Sequence, residues 1–219
     1  MKPYFSQTVI PLIISTLLIS CGLTDDDEAV LAPSLTYSST NTTATFFEEG
    51  NSSAPTINWN GNQGTISLNS NIEGLSINST TGVLNWNKLL QPGDYSVEIL
   101  ASNSAGQTTV NYNLSNPLQG TFTGTYSDFY FFQIHFNIDG TMELAVDDPN
   151  NPTTGSGTWQ LIDGILTADY IYDNSPNAKF SVSGTITQTS TQAVYTGNWY
   201  SGHGAEDGNE GGEFEVILD

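Results

Sequence analysis

The sequence has 219 residues and carries three Lys or Arg against 23 Asp or Glu, which gives a formal net charge of −20. Nucleic-acid binding needs a basic patch that releases counterions from phosphates, and a chain this acidic cannot assemble one. The hydrophobic fraction is only 37%, and no long stretch shows a 3.6-residue apolar period. This favours strands with one solvated face over helices. We therefore predict an all-β fold and no nucleic-acid partner.

The first 20 residues are typical of a targeting segment. Lys2 precedes the apolar run 9–19, which is too short for an ordinary membrane-spanning helix. The run ends in Leu18-Ile19-Ser20-Cys21, which resembles the lipobox of bacterial lipoproteins. The resemblance implies that residues 1–20 are a signal peptide and that Cys21 is acylated and anchors the mature chain in a membrane. The alternative is an ordinary secretory signal followed by a chance cysteine.

A cluster of acidic residues follows within the segment 21–31, which we expect to be a tether. Its members are Asp25, Asp26, Asp27 and Glu28. An acidic cluster just after a lipidated cysteine resembles the surface-export signal of Bacteroidetes-type lipoproteins. The resemblance implies a protein of the outer membrane that is displayed at the cell surface. A solvated linker on the periplasmic face is the alternative.

Residues 32–115 read as short alternating strands separated by turns. Tyr95, Val97, Ile99 and Ala101 share one face of a strand, and residues 103–106 can turn the chain into the next strand. The segments 74–86 and 93–106, which read GLSINSTTGVLNW and GDYSVEILASNSAG, resemble the Ig-like and cadherin-like repeats of bacterial surface proteins. The resemblance implies an N-terminal Ig-like β-sandwich that serves as a spacer, adhesion or recognition module.

The cadherin-like resemblance implies calcium as the cofactor to look for. Cadherin repeats carry acidic ligands at the positions that hold Leu90-Gln91-Pro92 and Ala101-Ser102-Asn103 in this chain. Calcium needs six to eight oxygen ligands, several of them from carboxylates. We therefore expect no calcium site, no other metal site and no cofactor.

Asn116-Pro117 interrupts the strand pattern and separates a second module, residues 118–219. Two Asp-Gly pairs, at 139–140 and 163–164, each separate alternating runs, and we expect both to form type I′ hairpin turns. In the first of these runs we place Ile138 on the inward face. About eight strands follow one another, which predicts a C-terminal antiparallel β-barrel or a strongly curved sheet.

The segments 139–141 and 155–167, which read DGT and GSGTWQLIDGILT, resemble the small lipocalin-like domains of bacterial lipoproteins. That resemblance implies a barrel whose interior either holds a small ligand or is filled by its own aromatic side chains.

Residues that could carry catalysis are few. Cys21 is the only cysteine, and no Gly-x-Ser-x-Gly motif is present. His135 lies on the polar face of a strand, and His203 lies in a Gly-rich acidic loop that we interpret as a flexible hairpin tip. We expect a protein that is not an enzyme.

The predicted order of lipid anchor, acidic tether, Ig-like module and terminal aromatic-rich module indicates a non-catalytic binding or adhesion lipoprotein. A neutral glycan or a surface protein is the candidate partner. The candidate contact aromatics are Phe129, Tyr130, Phe131, Trp199 and Tyr200. Two alternatives are a lipocalin-like carrier of a small apolar molecule and a purely structural surface protein. The three differ in whether the aromatic side chains form an exposed row, line a cavity or pack solidly.

Replacing Cys21 by Ser tests the anchor. Two or more acyl chains hold a protein stably on a membrane, where one chain is marginal. Cys21→Ser should therefore abolish metabolic lipid labelling and leave an uncleaved or soluble protein. As a matched control, changing Asp25, Asp26, Asp27 and Glu28 to Ala should keep the label but remove protease accessibility on intact cells. A Cys21→Ser protein that labels like the wild type would contradict the lipid anchor.

Overall fold

Two groups of strands follow one another along the chain in the computed structural model, which describes residues 30–206 and 208–219. The described residues contain no helix, and so none that is long and apolar enough to cross a membrane. This confirms the all-β prediction. The signal peptide, Cys21 and the acidic cluster 25–28 lie outside the described residues.

The first group of strands forms a β-sandwich. Its strands are β1 (Ser34–Thr36), β2 (Asn41–Thr43), β3 (Gly50–Asn51), β4 (Thr56–Asn58), β5 (Thr65–Leu68), β6 (Leu75–Ile77), β7 (Leu84–Trp86), β8 (Gly93–Asn103) and β9 (Gly106–Asn116). A four-stranded sheet in the order β2-β9-β8-β5 and a three-stranded sheet in the order β3-β7-β6 enclose one core, and β1 pairs with β4 beside them. Strand β2 runs parallel to β9, whereas the other pairs in the sandwich are antiparallel.

The long hairpin β8–β9 supplies the centre of this core. Val97, Ile99 and Ala101 are at most 1% exposed, as the alternation in the sequence predicts. The turn at 103–106 also lies where the sequence predicts it, and Asn103 pairs directly with Gly106. The Asn103 side chain accepts hydrogen bonds from the backbone N–H groups of Ala105 and Gly106, which closes the turn.

The second group of strands forms a closed antiparallel barrel. Its strands are β10 (Gly120–Tyr126), β11 (Tyr130–Phe136), β12 (Thr141–Asp147), β13 (Thr153–Ile162), β14 (Ile165–Tyr172), β15 (Ser175–Gln188), β16 (Ala193–Ser201) and β17 (Glu210–Leu218). Each strand pairs with the next, and β10 pairs with β17 to close the ring. Of the two predicted forms, barrel and curved sheet, the barrel is therefore the one present. Closure leaves neither β10 nor β17 with an unpaired edge.

The two Asp-Gly turns differ from each other. Asp163 and Gly164 have φ values of 51° and 80°, which a type I′ turn requires, so this prediction is confirmed. At the other pair only Gly140 is left-handed, with φ of 85°, and its N–H donates to Asn137 O in a longer turn. The type I′ prediction is wrong there, because Asn137 and Ile138 belong to the turn and not to the strand. Ile138 is consequently 65% exposed and does not face inward.

We call the barrel end that carries the turns 137–140, 163–164 and 189–192 the near end, and the opposite end the far end. Phe46 of the sandwich enters the near end, where it is 3% exposed and packs 6.2 Å from the ring of Phe122. Leu118, from the segment between the modules, is buried in the same cluster. The sandwich therefore covers the near end of the barrel.

Hydrogen bonds fix this junction between sandwich and barrel. The Gln188 side chain, at the end of β15, donates to Lys88 O at 2.7 Å and to Leu90 O at 3.2 Å. The Asn116 side chain donates to Leu90 O and Gln91 O at 2.8 and 3.0 Å. The bonds from Gln188 to Lys88 O and Leu90 O therefore join the two modules. The bonds from Asn116, at the end of β9, lie within the sandwich and hold residues 90–91, where a cadherin-like repeat would carry an acidic ligand, at the junction.

The substitution Phe46→Ala tests the junction. Removing a buried phenylalanine side chain costs about 3–5 kcal/mol of unfolding free energy when the cavity cannot collapse. We expect such a loss in urea unfolding of the mature protein. Phe129→Ala, at a ring that is 72% exposed, serves as the control and should change stability by less than about 0.5 kcal/mol. A loss below about 1 kcal/mol for Phe46→Ala would show that the ring does not fill the barrel end.

Candidate functional site

Inward-facing side chains fill the near half of the barrel. Alternate residues on each strand point inside, and those of the near half form a continuous buried cluster. Its completely buried members include Phe122, Ile134, Phe136, Leu166, Val182 and Tyr195. No ligand could enter the barrel through this end without displacing Phe46.

The far end contains a cavity of about 160 Å³ that we call the far mouth. Inward-facing residues of six strands line it: Tyr126, Phe132, Val146, Tyr170, Tyr172, Phe180 and Trp199. All but Val146 are aromatic. Tyr126, Tyr172, Phe180 and Trp199 are only partly buried, so solvent reaches the cavity past them.

Several of the rings that line the far mouth stand at right angles to one another. The ring of Tyr126 meets that of Trp199 at 86° and that of Phe132 at 74°. On the opposite wall, Tyr170 meets Tyr172 at 75°, while Tyr170 and Phe180 stack at 21°. The rings therefore form walls around a space, not one flat platform.

Polar groups converge on the rim of the far mouth. The Tyr126 hydroxyl donates to Asp147 Oδ1 at 2.6 Å, and Trp199 Nε1 donates to Ser127 Oγ at 3.2 Å. Asp147 ends β12 with φ of 76°, a left-handed conformation that Asp tolerates better than most residues. An apolar pocket with a few placed polar groups is the usual form of a small-molecule site.

The tyrosine hydroxyls of the far mouth stay protonated. Burial, followed by the hydrogen bond and charge of Asp147, raises the pKa of Tyr126 above its ordinary value. Burial, followed by the neighbouring Tyr172, raises the pKa of Tyr170, and burial raises that of Tyr172. The three groups are therefore neutral hydrogen-bonding partners for a ligand throughout the physiological pH range.

Two glycines set the position of the Trp199 ring. A Cβ atom at Gly211 would collide with the six-membered part of this indole, and one at Gly212 would approach its Nε1 to 3.1 Å. The ring consequently lies flat over β17 and forms one wall of the far mouth. Gly50 plays the same part in the sandwich, where it lies against the ring of Trp86.

The loop after β16 folds against the outer wall of the barrel. Gly204 N donates to Asp169 Oδ1 at 2.7 Å, Ala205 N donates to Ser181 Oγ at 2.9 Å, and His203 Nε2 lies 3.2 Å from Tyr170 O. The segment joins β16 to β17, as the hairpin interpretation predicts, and these bonds hold residues 202–205 against the barrel wall. The second histidine, His135, lies on the outer face of the barrel toward the near end and shares a hydrogen bond with Thr121.

The five aromatics singled out in the sequence do not form one surface. Trp199 lines the far mouth, and Tyr130 stacks on the cavity residue Tyr126 at 5.2 Å. Phe129 lies beside Tyr130 at the rim. Phe131 and Tyr200 alternate with the inward-facing Phe132 and Trp199, so they project from the outer wall.

Sequence reasoning missed most of the cavity. Tyr170, Tyr172 and Phe180 come from β14 and β15, whose pairing places them side by side. The available signal was the alternation Leu166, Ala168, Tyr170, Tyr172, which put these rings on the inward face. What the alternation does not give is the position of each ring along the barrel axis, which depends on the register of the strands.

A larger depression of about 490 Å³ lies on the outer wall between β10, β16 and β17. Asp128, Glu213 and Glu215 line it together with polar residues. It offers solvated carboxylates and little apolar surface, so the far mouth is the better candidate for a ligand. Among the described residues, no group of three or more His, Cys, Asp or Glu is arranged to hold a metal ion.

A comparison of the chain with models of known protein families found no match, and a comparison with curated protein sequences found none either.

Proposed function

We propose that this chain is a non-catalytic binding lipoprotein that takes a small, compact molecule into the far mouth of its barrel. The observation that supports this most strongly is the cavity of about 160 Å³ with six aromatic walls and a polar rim. Among the three alternatives raised by the sequence, lining a cavity with aromatics corresponds to a carrier of a small apolar ligand. The split arrangement of Phe129, Tyr130, Phe131, Trp199 and Tyr200 argues against a flat glycan platform made of all five.

The size of the cavity limits the ligand. An engineered apolar cavity of about 150 Å³ holds one benzene molecule. The far mouth therefore suits a single ring or a compact group of similar volume, or one such part of a larger molecule. Tyr126, Tyr170 and Tyr172 would hydrogen-bond a hydroxyl on that ligand.

The proposed role of the sandwich is to hold the barrel away from the membrane. Residues 31–32 lie beside the hairpin tip 103–106, where the Asn103 side chain donates to Leu31 O at 2.7 Å. The linker to the barrel leaves the other end of β9, which is 11 residues long. The length of β9 therefore places the hairpin tip, where the chain enters, roughly 35 Å from the start of the linker to the barrel. A lipid at Cys21 would thus lie on the opposite side of the molecule from the far mouth.

Display on the outer face of the outer membrane agrees with this orientation. The far mouth would then open toward the medium, where ligands arrive, and the sandwich would act as the spacer. The acidic cluster Asp25, Asp26, Asp27 and Glu28 is the proposed export signal.

Titration with cyclohexanol, an apolar ring with one hydroxyl, tests the binding function. A ligand of this size is expected to bind with roughly −4 to −8 kcal/mol, which corresponds to millimolar to micromolar Kd. The mature protein should show saturable heat in calorimetry and a rise in Tm. Stabilisation should reach about 2.7 kcal/mol at a ligand concentration of 100 times Kd.

Two glycine variants make this titration specific. Gly211→Ala should push the Trp199 ring out of place and weaken cyclohexanol binding at least fivefold. Gly50→Ala displaces the ring of Trp86 in the sandwich and is the matched control, with binding unchanged. Equal affinity in both variants, or no saturable binding by the wild type, would overturn the assignment of the far mouth as the ligand site.

A further inference from the structure

We propose that the ligand of the far mouth is a small organic cation of the quaternary-ammonium class, an inference that rests on the proposed function. Three features carry it: the arrangement of the ring faces, the carboxylate on the rim and the charge of the whole chain.

The arrangement of the rings fits a rounded guest. A flat aromatic ligand needs two parallel walls, and a sugar needs one broad platform. In the far mouth, Trp199 and Phe132 both stand nearly perpendicular to Tyr126, and Tyr172 stands nearly perpendicular to Tyr170. A cluster of methyl groups around one nitrogen presents surface in every direction and can contact all of these walls.

The faces of the aromatic rings also attract cations. The face of an aromatic ring is electronegative and attracts a cation within about 6 Å, most strongly for Trp and then for Tyr and Phe. A quaternary ammonium nitrogen is surrounded by methyl groups over which its positive charge is spread, and it has no N–H group to donate in a hydrogen bond. Such groups therefore lose little when they leave water for a cavity of aromatic walls.

Asp147 supplies a negative charge at the entrance. Its carboxylate accepts the hydrogen bond of Tyr126 at 2.6 Å and lies at an exposed position on the rim. Among the described residues, no lysine lines the cavity to compete for this charge. Lys88 lies at the junction with its Nζ 4.9 Å from the ring of Phe47, and Lys179 is exposed and alternates with the inward-facing Phe180.

The net charge of the whole chain also favours a cationic ligand. With residues 1–20 removed, two lysines face 23 carboxylates, a net charge of −21. Such a field raises the local concentration of cations and repels anions, and salt weakens both effects. A zwitterion or an anion of the same shape should bind less well than a plain cation.

Choline and its neutral isostere 3,3-dimethylbutan-1-ol are the probes that separate charge from shape. The two molecules have the same outline, and only the central nitrogen carries the charge. Calorimetric titration of the mature protein should give a Kd for choline at least tenfold lower than that for the alcohol, a difference of about 1.4 kcal/mol.

Two substitutions should reduce the preference for choline over the neutral alcohol without unfolding the barrel. Asp147→Asn keeps an acceptor for Tyr126 and tolerates the left-handed φ but removes the charge. Phe180→Leu keeps an apolar side chain at this position but removes a ring face. Each should weaken choline binding threefold or more and leave the affinity for the alcohol within twofold. Asp163→Asn, at a left-handed position of the near end, removes the same charge and should change neither affinity.

The outcomes distinguish this inference from the proposed function. If the alcohol binds as tightly as choline, the cation preference is wrong and the apolar binding site stands. The same conclusion follows if cyclohexanol binds and choline does not. If cyclohexanol does not bind, the proposed function fails, and the cation inference that rests on it fails as well. Equal choline affinities in Asp147→Asn and Asp163→Asn would show that general charge, and not the rim carboxylate, attracts the cation.

Discussion

The insertion of Phe46 into the near end of the barrel is the contact on which the rest of the arrangement depends. A closed barrel has two open ends, and each end exposes apolar side chains unless something covers it. The ring of Phe46 covers one end, and the bonds from Gln188 to Lys88 O and Leu90 O hold the sandwich in place around it. The far end keeps the cavity that opens to solvent past Tyr126 and Trp199. The same contact directs that end away from the side on which the chain enters the sandwich.

Inside the barrel, large rings and glycines occupy neighbouring inward positions. Gly184 and Gly197 face each other across β15 and β16, and a Cβ atom on either would collide with the backbone of the opposite strand. Gly155 and Gly157 allow the same close approach between β13 and β14. Glycine at these positions permits the strong bending that a small barrel needs. The space that the missing side chains release is taken up by rings such as Tyr195 and Phe214, whose centroids lie 4.7 Å apart.

The far mouth is the place where this filling stops. Toward the near end the completely buried ring of Phe136 packs against those of Phe122 and Tyr195, with centroids 5.7 and 5.9 Å away. Toward the far end, Trp199 is drawn back over Gly211 and Gly212, and the opposite rings belong to β14 and β15. The cavity therefore results from glycines on one wall and from strand register on the other.

Strand positions and faces could be predicted because they follow from local alternation. The hairpin β8–β9, the turn at Asp163-Gly164 and the four strands that follow it were all readable in this way. The turn at 137–140 was not, because Asp-Gly fits both a two-residue turn and the last positions of a longer one. Only the hydrogen bonding of Asn137 distinguishes the two.

The site was harder to predict than the fold because it depends on long-range pairing. Of the five aromatics that the sequence indicates in the terminal module, Phe129, Tyr130 and Trp199 lie in or beside the far mouth. Phe131 and Tyr200 point the other way, since neighbours in a strand face opposite sides. Tyr126 and Tyr170 lie on strands that are not adjacent in the barrel, and nothing in either segment alone indicates that they share a cavity. The coverage of the near end by Phe46 was equally unreadable, since that residue lies 76 positions before Phe122.

The central claim is that the far mouth is the ligand site, and the indole N–H signals in a ¹⁵N–¹H spectrum test it most directly. The chain has four tryptophans, and one Trp→Phe variant for each assigns their signals. On titration with cyclohexanol, the Trp199 signal should move and saturate, because its indole forms a wall of the cavity. The signals of Trp59 and Trp86 in the sandwich, and of Trp159, which donates to Asn137 O near the covered end, should stay in place. A saturating shift of any of these three with Trp199 unmoved would contradict the account.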